Sequence, residues 1–184
     1  MAKSNLFKAN LFKILLGLCL LLLNIGCHTK KQSLWQIVHN PDSMTRSLKA
    51  INSDFSVQVL QTGESNSQYI RVSVLKLSGT PVLAAVSQTS SNNKIFVSIL
   101  SSANKHSIGD ALFSPNSLIK RSDNMTIKNI HLQDISNPAI FKYLIGLGYT
   151  QNQNIIARQS QFYYNKEHMD LIEYILPSIN AYLK

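Results

Sequence analysis

Two charged side chains fall among apolar neighbours in segments that alternate like strands. Arg71 shares one strand face with Ser73, Leu75 and Leu77. Glu173 shares a face with Met169, Leu171 and Ile175. A charge buried alone is expensive, so each must find solvent, a partner or a ligand. Both side chains reach solvent, or they pair with each other, or they line a cavity against the sheet. In the last arrangement an arginine fork grips a carboxylate, and a desolvated glutamate is suited to donate a proton. Arg158 and Ser160, on a neighbouring candidate strand, would complete such a pocket, unless Arg158 lies at the surface. No other chemistry competes strongly. His28, His39, His106, His131 and His168 are scattered without metal-ligand spacing, so no metal is expected. The chain has no glycine-rich phosphate loop, nucleophile elbow or Cys-His pair.

The elements that must position these residues are mostly hairpins. Asp42-Ser43 caps a helix with Met44, Leu48 and Ile51 as its apolar stripe. Phe55–Leu60 alternates as a strand, and 61–66, with Gly63, reads as a turn. Tyr69–Leu77 and Val82–Val86 form a hairpin around Ser78-Gly79-Thr80-Pro81, followed by a Ser-rich loop over 87–93. Lys94–Ser102 fits a strand or a helix equally. Ile108–Phe113 reads as a short helix ended by Ser114-Pro115, and Met125–Leu132 as a strand. Asn137-Pro138 opens a helix with Ile140, Tyr143, Leu144 and Leu147 at helical spacing, closed by Gly148. Ile155–Tyr164 and Met169–Leu176 form the last hairpin, turning at 165–168 and stopped by Pro177. Paired neighbours with helices between them imply an α+β domain with a single antiparallel sheet, its helices on one side.

The N-terminus has a different character. Lys3, Lys8 and Lys13 precede an apolar run from Ile14 to Ile25, too short to span a bilayer comfortably, and Gly26-Cys27 follows. The pattern resembles a bacterial lipoprotein cleavage site, with Asn24 where leucine is usual and Leu23 one place back. The resemblance implies a signal peptide over 1–26, an acylated Cys27 with a polar tether over 27–34, and a folded domain over 35–184. It places the chain at the cell envelope, anchored to a membrane by lipid (the outer membrane if one is present). Removing 1–26 takes away three lysines and no acids, so the net charge falls from +9 to 15 − 9 = +6 over 158 residues. The remaining basic residues are dispersed, with Lys120-Arg121 the only basic pair after the tether, so no nucleic-acid partner is expected. The two cysteines, Cys19 and Cys27, leave the domain without a cross-link.

Four segments taken in order resemble the chorismate lyase (4-hydroxybenzoate synthase) family. They are Asp42-Ser43-Met44-Thr45-Arg46; Tyr69-Ile70-Arg71 with Gly79-x-Pro81; Ile108-Gly109-x-x-Leu112-Phe113; and Arg158-x-Ser160 followed by Leu171-Ile172-Glu173-Tyr174-Ile175-Leu176-Pro177. The match spans about residues 35–179. It implies a sheet of about six antiparallel strands with helical flaps over a buried ligand. It also implies elimination of pyruvate from chorismate without metal or organic cofactor. By position, Arg71 binds a carboxylate, Glu173 manages the proton at the ring hydroxyl, and Ile108 stands at a backbone contact near the flap. Ala85 and Arg158 complete the expected substrate site. The family's small-Gly-Arg-Thr/Ser run appears as Ala84-Ala85-Val86-Ser87, which adds a methyl to the pocket wall and removes an arginine.

Three functions follow from these readings. One is a chorismate lyase. Another is a lipid-anchored protein that uses the same cavity to bind a small aromatic carboxylate such as 4-hydroxybenzoate without turnover. The third is a lipoprotein component of an envelope assembly that uses the fold as a scaffold; outside such an assembly a monomer is expected.

Overall fold

Alternation is the rule along the central strands. Val74, Ala84 and Tyr174 lie side by side on one face, while Ser73, Ala85 and Glu173 lie side by side on the other. The computed structural model describes residues 33–103 and 106–183. The expected signal segment and Cys27 lie outside them. Among the described residues no helix is long and apolar enough to cross a membrane.

The strands are β1 (Phe55–Ser65), β2 (Gln68–Leu77), β3 (Thr80–Ser90), β4 (Lys120–Arg121), β5 (Thr126–His131), β6 (Asn154–Tyr164) and β7 (Glu167–Ile175). They form one sheet in the order β1-β2-β3-β7-β6-β4, and β5 also pairs with β6. Every pairing is antiparallel. The helices are α1 (Leu34–His39), α2 (Met44–Ile51), α3 (Lys94–Ser102), α4 (Ile108–Leu112) and α5 (Pro138–Gly146). Short 3-10 turns cover Leu132–Asp134 and Pro177–Tyr182. The expected α+β class with a single antiparallel sheet is the one observed.

Helices cover both faces of the sheet, where one face was expected. Ile37 and Val38 of α1, Met44 and Leu48 of α2, and Phe96 and Leu100 of α3 pack with Leu75, Leu77, Met169 and Ile175. Ile140 and Leu144 of α5, with Leu132 and Ile135, pack on Val72, Val74, Ala84 and Tyr174 of the opposite face. The central strands carry apolar residues on both faces, so neither can be left to water.

Local differences from the sequence reading have local causes. Residues 61–65 continue β1, and the turn falls at Asn66-Ser67, both at positive φ (51° and 60°). That is the twist a two-residue hairpin needs, and asparagine takes it with little strain. Strand β3 runs on to Ser90, so most of the expected loop is paired strand. Lys94–Ser102 is a helix, its first turn capped by the Asn93 side chain accepting from the Phe96 N–H at 3.1 Å. Helix α1 was not anticipated. Ser33 caps it and Gln36 bonds back to the Ser33 N–H, a reciprocal capping box. Ordered structure therefore begins inside the segment read as a tether. Strand β4 and the C-terminal 3-10 turn are further additions.

Candidate functional site

Two lateral rows of side chains cross the face covered by α1–α4. One row runs Ser73, Ala85, Glu173, Arg158; the next runs Arg71, Ser87, Leu171, Ser160. Above them stand Ser43, Met44 and Thr45 from the start of α2, and Ser107, Ile108, Gly109, Leu112 and Phe113 from α4 and its ends. Arg121 of β4 closes one side. Together, without Ser87 and Ser160, they enclose a cavity of about 30 Å³. By that measure one water needs about 10–15 Å³, so the closed cavity holds roughly two waters. A ring-sized ligand requires the α2–α4 cover to move.

The sequence brings Arg71, Ala85, Ile108, Arg158 and Glu173 to this one cavity. Cys27 lies outside the described residues. Strand period explains the sheet members: β2, β3, β6 and β7 each send alternate residues to the same face. Ile108 arrives on the first residue of α4, whose cap is Ser107 accepting from the Gly109 N–H at 3.1 Å.

The charged groups are paired differently from the simple expectation. Glu173 does not pair with Arg71. Its Oε2 accepts from Arg158 Nε at 2.7 Å and lies 2.6 Å from Arg158 Nη2. The two residues are direct cross-strand neighbours, and both are buried. Arg158 Nη1 also donates to the Asn40 carbonyl at 3.0 Å and more weakly to that of Val38 at 3.4 Å, fixing the end of α1 over the sheet. With both Arg158 donors on Oε2, Glu173 serves first as the counter-ion of a buried cation.

Arg71 is buried at 2 % exposure and has no carboxylate partner among the described residues. Its Nη2 donates to the carbonyls of Ala103 and His106 at 2.8 and 2.9 Å, and its Nη1 to Ser73 Oγ at 3.2 Å. Burial pushes its pKa down from the usual arginine value. Three neutral acceptors satisfy hydrogen bonds without neutralising the charge. Beside it in the sheet, the buried Ser87 hydroxyl has no partner among the described residues.

Sequence reasoning missed Arg121, because two residues of β4 show no periodicity. It was visible only as half of the Lys120-Arg121 pair. Its Nη1 donates to the Pro41 carbonyl at 2.6 Å and its Nη2 to Ser160 Oγ at 2.7 Å. The guanidinium lies over the rings of Phe113 and Phe162, at 5.7 and 5.3 Å from their centroids. Its Nε is buried without a partner among the described residues. Burial chiefly, and then the neighbouring Arg158 charge, lower its pKa to about 10, against opposing effects of Glu173 and Asp42. Ser43, Thr45 and Ser107 were also missed as pocket residues, and Thr45 Oγ1 bonds Ser107 Oγ across the mouth between α2 and α4.

The cavity walls thus carry three guanidinium groups and one carboxylate, a formal charge of 3 − 1 = +2. Two larger hollows, of about 230 and 280 Å³, lie beside α1 and share Leu34, Asn129 and Ile156. No buried charged side chain lines either.

No family model matches the chain, and no curated protein sequence matches it. Solved structures similar to it include the C-terminal domain of the histidine utilization repressor from Pseudomonas syringae pv. tomato. That domain is 7% identical with a TM-score of 0.44, over 67% of this chain and 92% of the other. Another is the ligand-binding domain of a putative GntR-family transcriptional regulator from Bordetella bronchiseptica. It is 10% identical with a TM-score of 0.48, over 68% of this chain and 87% of the other.

Proposed function

We propose that this domain binds a small aromatic carboxylate in the cavity between the sheet and the α2–α4 cover. One observation carries the reading: Arg71 is fully buried on the cavity wall with hydrogen-bond acceptors but no counter-ion among the described residues. A carboxylate entering the cavity supplies the missing charge, and an arginine fork suits its two oxygens. Binding rather than turnover fits Glu173 best, because its Oε2 is committed to Arg158. Anchoring through Cys27, as the lipoprotein-like N-terminus implies, would place this binding at the cell envelope.

Pyruvate elimination from chorismate is the second reading. It draws on Arg71 and Glu173 facing one cavity, as the resemblance to the chorismate lyase family implies.

Titrating the purified full chain with 4-hydroxybenzoate by calorimetry tests the proposal. A charged hydrogen bond is worth about 1.5–3 kcal/mol, so Arg71→Met should weaken binding roughly tenfold to a hundredfold. Arg71→Lys keeps the charge and can still reach a carbonyl, so it should fold and fall between the two. No binding by the native chain, or equal binding by all three, would remove this site. Release of pyruvate from chorismate by the same preparation would establish the second reading.

A further inference from the structure

We infer that Arg121 is a second anion-binding residue of the cavity and that the natural ligand carries two anionic groups. This rests on the binding reading above and extends it from one carboxylate to two.

The argument begins with charge. Of the three cavity arginines, only Arg158 is ion-paired among the described residues. One anionic group on Arg71 leaves a second positive charge unmatched in the same small space. That charge is Arg121. Asp42, the acid nearest in sequence to its backbone contacts, is exposed and makes no ion pair with it. Two phenyl faces and one hydroxyl compensate a guanidinium only in part.

The second line of argument is hydrogen bonding. Buried polar groups are nearly always paired, and the exceptions need a reason. Arg121 spends Nη1 on the Pro41 carbonyl, with a longer 3.5 Å approach to that of Asp42, and Nη2 on Ser160 Oγ, while its buried Nε–H has no partner among the described residues. A residue whose purpose was to tie β4 to the α1–α2 link would already be complete with those two bonds. The remaining donor, on a residue that lines the cavity, is the feature of a site awaiting an acceptor. Arg121 approaches from β4 and Arg71 from β2, strands separated in the sheet by β3, β7 and β6. The two anionic groups therefore belong at opposite ends of the ligand.

Calorimetry of the full chain with benzoate and the three benzenedicarboxylate isomers tests this. At least one isomer should bind tenfold or more tightly than benzoate. Arg121→Gln keeps an N–H donor and removes the charge, so it should lose that preference, its ratio of dicarboxylate to benzoate affinity falling to about one whatever happens to benzoate affinity itself. A native chain that binds benzoate as tightly as every isomer overturns the inference and leaves the carboxylate site standing. So does an Arg121→Gln chain that keeps the preference. Binding of none of the four probes overturns both. Should Arg121→Gln not unfold cooperatively, the arginine Nε–H resonances of the native chain give the second readout, with that of Arg121 identified by its loss in Arg121→Lys. It should shift with the preferred dicarboxylate and stay in place with benzoate; a shift with neither overturns the inference.

Discussion

Glu173→Leu is the perturbation that tests the electrostatics of the cavity most directly. Arg158 is 1% exposed and Glu173 5%, so water cannot take over the role of either partner. Removing the carboxylate leaves the guanidinium bonded only through Nη1, to Asn40 and Val38 carbonyls. Breaking a buried pair from one side costs about 3–5 kcal/mol, because the surviving charge is uncompensated. With a urea slope of about 2 kcal/mol/M, the unfolding midpoint should fall by about 1.5–2.5 M. The control is Arg158→Met combined with Glu173→Leu. Replacing both partners by apolar groups is neutral or gains about 1–4 kcal/mol. The carbonyls that lose Arg158 Nη1 cost about 1–3 kcal/mol in return. These effects offset, so the double variant should lie within about 2 kcal/mol of the native chain, far above the sum of the single variants. Urea unfolding of the four chains at neutral pH measures this. A single-variant loss below about 1 kcal/mol, or additive losses, would refute the picture of a desolvated pair.

Three further outcomes follow from the packing elsewhere in the domain. A methyl on Gly109 would lie 2.7 Å from both Ser43 Oγ and Thr45 Oγ1, and Thr45 is tied to Ser107, so Gly109→Ala should destabilise by about 1–3 kcal/mol. Gly146, at the end of α5, has nothing within 4 Å of such a methyl, so Gly146→Ala should stabilise by about 0.4–1 kcal/mol in the same urea assay. Burial raises the pKa of the Tyr174 phenol, against a smaller opposing hydrogen bond from Ser136. The folded chain therefore keeps that proton where the unfolded chain has begun to lose it, and stability falls as pH rises past the ordinary phenol value of about 10. Unfolding free energies at pH 9–11 should decline more steeply for the native chain than for Tyr174→Phe.

What could be read from residues alone was what period two controls. Arg71 and Glu173 were placed on their strand faces because a paired strand has only two sides, while Arg158 was left between pocket and surface and Ala85 was implied only by the family resemblance. The side-by-side order of β2, β3, β7 and β6 then joins them into one wall. Partner choice was not legible. Which arginine meets Glu173 depends on the register of β6 against β7, which the hairpin turn sets: the expected turn over 165–168 puts residue 158 opposite residue 175, whereas the observed pairing of Tyr164 with Glu167 puts it opposite residue 173. Gly63 drew the turn away from Asn66-Ser67 because composition marks glycine first, although the geometry at that hairpin is one asparagine also accepts. The apolar residues of α5 showed a helix but not its side of the sheet. That is fixed by Val72, Val74 and Ala84, whose face would otherwise meet water.

The three cavity arginines are also fasteners, and this decides how the site must be probed. Arg71 holds the carbonyls of Ala103 and His106, at either end of the α3–α4 link. Arg158 and Arg121 hold those of Asn40 and Pro41, between α1 and α2. The cover over the cavity is therefore attached to the sheet by the same guanidinium groups that line the cavity. Truncating any one of them removes several structural bonds along with any contact to the proposed ligand, so lost binding alone cannot separate recognition from folding. Arginine makes the double duty possible: five donors in a rigid fork leave some free after the carbonyls are satisfied, whereas three ammonium donors on a flexible stem hold no fixed direction. The informative variants are accordingly those that change charge while retaining a donor, Arg121→Gln above all. A chain in which that change altered cover stability but not the preference between one carboxylate and two would assign Arg121 to the fastening role alone.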